Sequence, residues 1–377
     1  MKKRLFALLL ALIIMFNLVA CGSKTSTDSG STSSTETLQE ERSPSEGDKE
    51  EGSGTRVFAD DAGREVEIPE KISRIVPTGP MAQIALLAIA PDMFVGLASE
   101  FSESDRGIVA DNLFGLPYFG QLYGSAGLNV EELAAVNPDV IIDVGETKKT
   151  TNDDLDTLQT QTTIPAVFIS GTLETMPEAY RKLGQLLGRE ERAEELAQFC
   201  EKVYKRTASI MEKAGEENKV KALYITGDEG LNVIAKTSFH AELIDMLVDN
   251  LAVVESPSGK GLGNEVTMDQ LLLWNPDFII FAPKSIYSTV TELNTWDSMT
   301  AIKNGNYIET PSIPHNWMGS PPSVQRYLGM IWLPAVLYPD YCDYDVRADI
   351  MEYYKLFYGT NLTDEQYDSI TANAFLK

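Results

Sequence analysis

The 377-residue sequence predicts an α/β protein with two Rossmann-like lobes, each built on a parallel sheet, joined by a single long helix. Three observations carry this. Strand-length apolar runs alternate with helix-compatible segments in both halves of the chain. A glycine-poor stretch, Arg189 to Lys213, separates the halves and carries apolar residues on one helical face. Finally, Val130 to Ile142 aligns without gaps to Met268 to Ile280, 138 residues later. In each copy an acidic helix start precedes apolar turns, Asn-Pro stops the helix, and Asp leads into a buried strand. Two such copies flanking one helix imply two similar lobes. Ligands of that architecture sit in the crevice between lobes, near the C-terminal ends of the strands.

In chain order, residues 1–20 form a leader: Lys2, Lys3 and Arg4 are followed by an apolar run from Leu5 to Met15. That run is short for a membrane span and suits a secretory signal. Leu18-Val19-Ala20-Cys21-Gly22 resembles a bacterial lipobox. The resemblance implies cleavage before Cys21, diacylglycerol on its sulfur, and a mature protein lipid-anchored on the extracytoplasmic face of the cell membrane. Several acyl chains, palmitate among them, are needed for lasting retention, because one short chain holds only marginally. Residues 21–54 comprise this cysteine and a Ser, Thr, Gly and Glu-rich tether with Leu38 as its one large apolar residue. Such a segment cannot offset its chain entropy by burial and spans roughly 30 Å as a flexible coil.

Residues 55–173 read as the N-terminal lobe. Val57 to Ala59 and Glu65 to Pro69 flank a Gly-containing turn as a hairpin; Ile72–Val76, Met93–Ala98, Asp139–Asp143 and Ile164–Ile169 are strand candidates, and Met81–Ala90 is a helix. Residues 174–217 are the helical bridge. Its apolar face is Ala193, Leu196, Ala197, Cys200, Val203, Tyr204, Ala208 and Met211, over a length of about 37 Å. Cys200 on that face reads as a packing cysteine. Residues 218–377 form the C-terminal lobe, with strands at Val220–Thr226, Asp277–Ala282 and Asn306–Glu309, helix at Ser238–Val248, and amphipathic helices from Tyr344 and Asp364.

Composition removes several function classes. The net charge is −25, and −28 once the leader's three positive charges are gone. No basic face is left for a nucleic acid. Two histidines leave little room for a multi-histidine metal site, and three cysteines cannot form a disulfide framework. There is no phosphate loop, no G-x-S-x-G nucleophile motif and no cofactor signature.

Phe58 to Val76, the two Asn-Pro-Asp units, Leu187 to Ala193 and Trp296 to Tyr307 together resemble ABC-transporter substrate-binding proteins for ferric siderophores, haem and cobalamin, in the expected order over residues 56–340. The resemblance implies a rigid helical bridge, a shallow cleft, a monomeric non-enzymatic receptor without a resident cofactor, and a permease partner contacted by one glutamate per lobe. Glu242 matches the C-lobe glutamate. Gln83 stands at the N-lobe position, a departure from the family pattern.

Ligand-binding candidates follow from the loops at strand ends. In the N-lobe these are Thr78, Gly79, Glu146, Thr147 and the aromatics Tyr118, Phe119 and Tyr123. In the C-lobe they are Ser238, opening a helix, and the stretch containing His315, Trp317, Met318 and Arg326. Trp317 offers a flat apolar surface, His315 a ligand or donor, and Arg326 a permanent cation. Aromatics and hydrogen-bonding groups with few metal ligands suit a ferric siderophore or similar pre-formed chelate better than a bare cation. Cobalamin, haem, and a molybdate or tungstate oxyanion held by backbone amides and Arg326 are the alternatives. A chelate-processing enzyme on the same scaffold is the alternative of another class.

Overall fold

The computed structural model describes residues 54–124 and 127–376; the leader, Cys21 and nearly all of the tether lie outside them. The body opens on an antiparallel hairpin, β1 (Thr55–Ala59) and β2 (Glu65–Pro69). Asp60 holds its turn by accepting the backbone N–H of Ala62 and of Arg64 at 3.0 and 2.9 Å. Then come β3 (Ile75–Pro77), α1 (Pro80–Ile89), α2 (Val130–Ala135), β4 (Val140–Gly145), α3 (Thr151–Thr162) and β5 (Ala166–Ser170). The three strands pair in parallel in the order β3-β4-β5, all nearly fully buried. The strand expected over Met93–Ala98 does not form. Phe94 makes one bridge to Ile75 and Leu97 one to Tyr118. Between them Gly96 passes under Phe119, so close that an added Cβ would fall 2.1 Å from the ring.

The bridge consists of α4 (Met176–Leu187) and the 25-residue α5 (Glu190–Ala214). Glu190 and Glu191 at the start of α5 and Lys213 in its last turn complement the helix dipole. The two helices touch at Gly184, where a Cβ would meet that of Ala193 at 2.5 Å. The buried stripe follows the expected face through Val203 to Met211 at spacings of three and four, except at Ala208. Thr207 and Ile210 turn inward and Ala208 faces solvent. The buried Thr207 hydroxyl donates to the Met330 carbonyl at 3.2 Å. Cys200 is buried on this face, its thiol pushed well up by burial.

The C-terminal lobe runs β6 (Lys221–Thr226), β7 (Asn232–Val233), α6 (Glu242–Leu247), β8 (Asp249–Asn250), β9 (Asn264–Glu265), α7 (Met268–Trp274), β10 (Phe278–Phe281), α8 (Thr300–Lys303), β11 (Tyr307–Glu309), α9 (Arg326–Leu337), α10 (Val346–Tyr358) and α11 (Asp364–Ile370). Its sheet has the order β11-β10-β6-β7-β9, with β8 also beside β6. It is mixed rather than purely parallel, because the two-residue strands β7 and β9 pair antiparallel.

The repeated unit is the same structure twice. Asn129 and Thr267 cap α2 and α7, accepting the N–H of Glu132 and Gln270. Asn137 (φ 53°) and Asn275 (φ 40°) take the left-handed conformation that asparagine tolerates. Asp139 and Asp277 then donate their backbone N–H to Arg74 and Lys221, at 2.8 and 2.9 Å, and lead into β4 and β10.

One apolar core runs from the hairpin through α5 into the C-terminal lobe. The C-terminal helices do not stay with their own lobe. Phe357 of α10 meets Tyr180 and Phe199 edge-on at 6.0 and 5.5 Å, and the Thr360 hydroxyl donates to the Ile108 carbonyl at 2.8 Å. Arg192 of α5 donates to the Leu356 carbonyl. The chain therefore crosses between lobes twice, once through the bridge and once by this return.

Candidate functional site

Parallel pairing places the C-terminal ends of β3, β4 and β5 along one edge of the N-lobe sheet, followed by Thr78, Glu146 and Gly171. Residues of the C-lobe meet this edge. The Ser323 hydroxyl donates to the Met81 carbonyl at 2.9 Å, and Tyr327 Oη to the Leu173 carbonyl at 2.6 Å. Glu242 Oε1 accepts the Leu173 N–H at 3.0 Å. The junction of the lobes thus lies at the strand ends, where the cleft was expected.

Its charged centre is Arg326, first residue of α9 and only 3% exposed. Nε donates to the Ser323 carbonyl at 3.3 Å, and Nη1 to Glu242 Oε2 at 2.5 Å. Gly319 lies against its stem, with room for no Cβ. On the N-lobe side of the junction, directly after β4, is Glu146. Desolvation of this carboxyl, and then the Glu242 charge, raise its pKa, while Arg326 and Lys148 oppose the rise. Four charged groups from both lobes therefore act on one another here.

Behind Glu146 is a polar cluster that sequence reasoning found only in part. Asp143 sits inside the apolar strand β4, buried, and accepts the Thr78 hydroxyl at 2.5 Å. Burial raises its pKa against the pull of Thr78 and Lys148. The Lys148 ammonium lies 3.6 Å above the Tyr123 ring. Tyr123 Oη is buried with no hydrogen-bond partner among the described residues, and burial, with Asp143, raises its pKa to about 12. Asp143 and Lys148 were missed; the acid interrupting Val140-Ile141-Ile142 was the signal that could have found them. His240, in the candidate helix opening that holds Ser238, adjoins the site. Its Nδ1 is 3.4 Å from the Gly319 carbonyl, beside the Arg326 loop, and burial lowers its pKa.

The remaining candidates divide. Gly79 caps α1 at the strand-end edge, Thr147 is exposed there, and Tyr118 is 52% exposed. Ser238 keeps a buried hydroxyl without a partner among the described residues. Phe119 is in the N-lobe core instead of offering a surface, because it fills the space above Gly96. Trp317 is 0% exposed, its ring edge-on to Trp332 at 5.9 Å, and Met318 is buried with it. Trp317 is not the exposed plane expected from sequence, since Trp332 of α9 meets it in the core, and Met318 lies in the same core. His315 is half-buried between Phe101 and Tyr358, with Nδ1 3.2 Å from Tyr358 Oη, and burial lowers its pKa to about 4.

Gln83 does not stand on a docking surface: it is 1% exposed. Its Oε1 accepts the N–H of Ala98 and Ser99, and its Nε2 donates to the Ser99 carbonyl. The amide replaces the strand pairing that Met93–Ala98 lacks. Glu242 points into the lobe junction. Among the described residues no three His, Cys, Asp or Glu side chains converge as a metal site, and no helix is long and apolar enough to cross a membrane.

The fold is shared with known proteins. No curated protein matches the chain. An ABC-transporter solute-binding protein from Sulfurospirillum deleyianum is 28% identical, with a TM-score of 0.77 over 84% of this chain and 99% of that one. A periplasmic solute-binding protein from Veillonella parvula is 26% identical, with a TM-score of 0.68 over 85% and 98%. The molybdate-bound periplasmic protein of a Haemophilus influenzae ABC transporter shares the fold at 19% identity and a TM-score of 0.66, over 82% and 99%. The family model for periplasmic binding proteins matches residues 122–314. With half of the sequence under that model, the chain belongs to the periplasmic binding protein family, the solute-binding proteins of ABC transporters.

Proposed function

We propose that this protein is a lipid-anchored extracytoplasmic receptor that captures a compact anionic metal species in the cleft between its lobes and delivers it to an ABC importer. The observation that carries the reading is Arg326: a guanidinium 3% exposed at the lobe junction. A buried, permanently charged fork at a strand-end cleft is the group that recognises an oxyanion or a chelate carboxylate. His240 stands beside the Arg326 loop, 3.4 Å from the Gly319 carbonyl, and Thr78 and Thr147 follow the N-lobe strand ends. A ferric siderophore was the first expectation from sequence. With Trp317, Met318 and Phe119 in the core, less flat apolar surface remains to hold a bulky chelate. That favours a tetrahedral oxyanion such as molybdate or tungstate, or a small ferric carboxylate complex. The exposed Tyr118 supports a larger chelate as the second reading.

Thermal-shift titration of the mature protein with molybdate, tungstate and ferric citrate tests this. At least one of them raises the unfolding temperature of the native protein, and Arg326→Gln loses the response. Indifference of the native protein to all three overturns the reading. The anchor rests on the lipobox at Cys21; the mass of the mature N-terminus, read from membrane extracts, checks it, and an unmodified Cys21 rules it out.

A further inference from the structure

Arg326 and Glu242 are unequal partners. The arginine side chain is 3% exposed and fixed along its length, by Gly319 against its stem and the Ser323 carbonyl at Nε. The glutamate side chain is 33% exposed and has a solvent side into which it can turn. A buried guanidinium requires a counter-charge, because desolvation costs more than the site can otherwise return. Among the described residues, the one carboxylate bonded to Arg326 is Glu242.

We infer that Glu242 is a resident surrogate anion: it occupies Arg326 until an incoming solute displaces it, and so selects for dianions. This rests on the cleft reading above. An anion reaching Arg326 arrives beside Glu242, and the two negative groups compete for one buried guanidinium. The group free to leave is Glu242. A neutral solute gains nothing by replacing a carboxylate, and a monoanion only exchanges one charge for an equal one. A dianion brings more charge to the guanidinium than the carboxylate it removes. The exchange need not part the lobes. Leu173 loses the Glu242 oxygen from its N–H, yet its carbonyl stays bonded to Tyr327 Oη at 2.6 Å, and Ser323 still holds Met81.

The test compares molybdate, a tetrahedral dianion, with perrhenate, a monoanion of the same shape, by calorimetric titration of the native protein, Glu242→Gln and Glu242→Asp. Glutamine keeps the shape and the acceptor for Leu173 but removes the competing charge. Glu242→Gln is expected to bind molybdate about tenfold tighter than the native protein, the scale of one charge-assisted hydrogen bond no longer broken. Its preference for molybdate over perrhenate should narrow. Glu242→Asp, whose carboxylate reaches less far, should shift affinity the same way by less. Unchanged or weaker molybdate binding by both variants, with native-like circular dichroism, overturns the surrogate role and leaves the cleft reading standing. If no variant and not the native protein binds either anion, the cleft reading falls and this inference with it.

Discussion

Acid should loosen this protein through His315. The ring is half-buried between Phe101 and Tyr358, and among the described residues its hydrogen-bond contact is the Tyr358 hydroxyl, 3.2 Å from Nδ1. Burial lowers its pKa from 6.5 to about 4. The unfolded chain therefore takes up a proton at a pH where the folded chain refuses it. The stabilisation is complete above pH 6.5 and is lost as pH falls toward 4, with a slope of about 1.4 kcal/mol per pH unit. The whole span is about 3 kcal/mol, an upper bound because the ring keeps some contact with solvent that screens the effect. The assay is urea unfolding of the native protein and His315→Gln at pH steps from 7.5 to 4. Glutamine preserves a polar partner for Tyr358 and has no proton to gain. His240 titrates in both proteins and cancels from the difference. The native protein should lose ground to the variant continuously below pH 6.5. A stability difference that stays constant with pH refutes the reasoning.

Two further substitutions probe the N-lobe. Asp143→Asn keeps the acceptor for Thr78 and removes a buried charge whose pKa is raised by desolvation. That cost is present at neutral pH and disappears as the aspartate protonates, so the variant should have the higher urea midpoint at pH 7, with the gap closing on acidification; a lower midpoint at pH 7 contradicts it. Gly96→Ala drives a methyl to 2.1 Å from the Phe119 ring, and should destabilise by about 1–3 kcal/mol in thermal unfolding. Loss of under half a kcal/mol would mean that Phe119 is free to move and could line the cleft after all.

What was legible in the sequence was what local chemistry decides. Helix, Asn-Pro stop and buried strand follow from residues within one turn of each other, so both repeats, the hairpin and the spine helix were readable. What was not legible depended on distant partners. Trp317 reads equally well as a ligand plane or a core plug until Trp332 is placed against it. Gln83 looks like a helix-face polar residue until the chain at Ala98 and Ser99 arrives to use its amide. Glu242 and Arg326 were both singled out, 84 positions apart, for separate roles; nothing in their local sequence joins them. Asp143 is the opposite case, a signal present in a single strand and passed over.

The return of the C-terminal helices onto the N-lobe sets where this chain can be cut. A chimera that takes residues 55–173 from this protein and everything after from a relative would carry a foreign α10 against its own α1 and Ile108 loop. The foreign counterparts of Thr360, Tyr180 and Arg192 would then have to bond the native carbonyls of Ile108, Ala85 and Ala88. The exchangeable unit is a split one, in which the N-terminal lobe, the bridge and the last helices travel together. The C-terminal sheet, lying between two stretches of that unit, is the part that can be replaced as an insert.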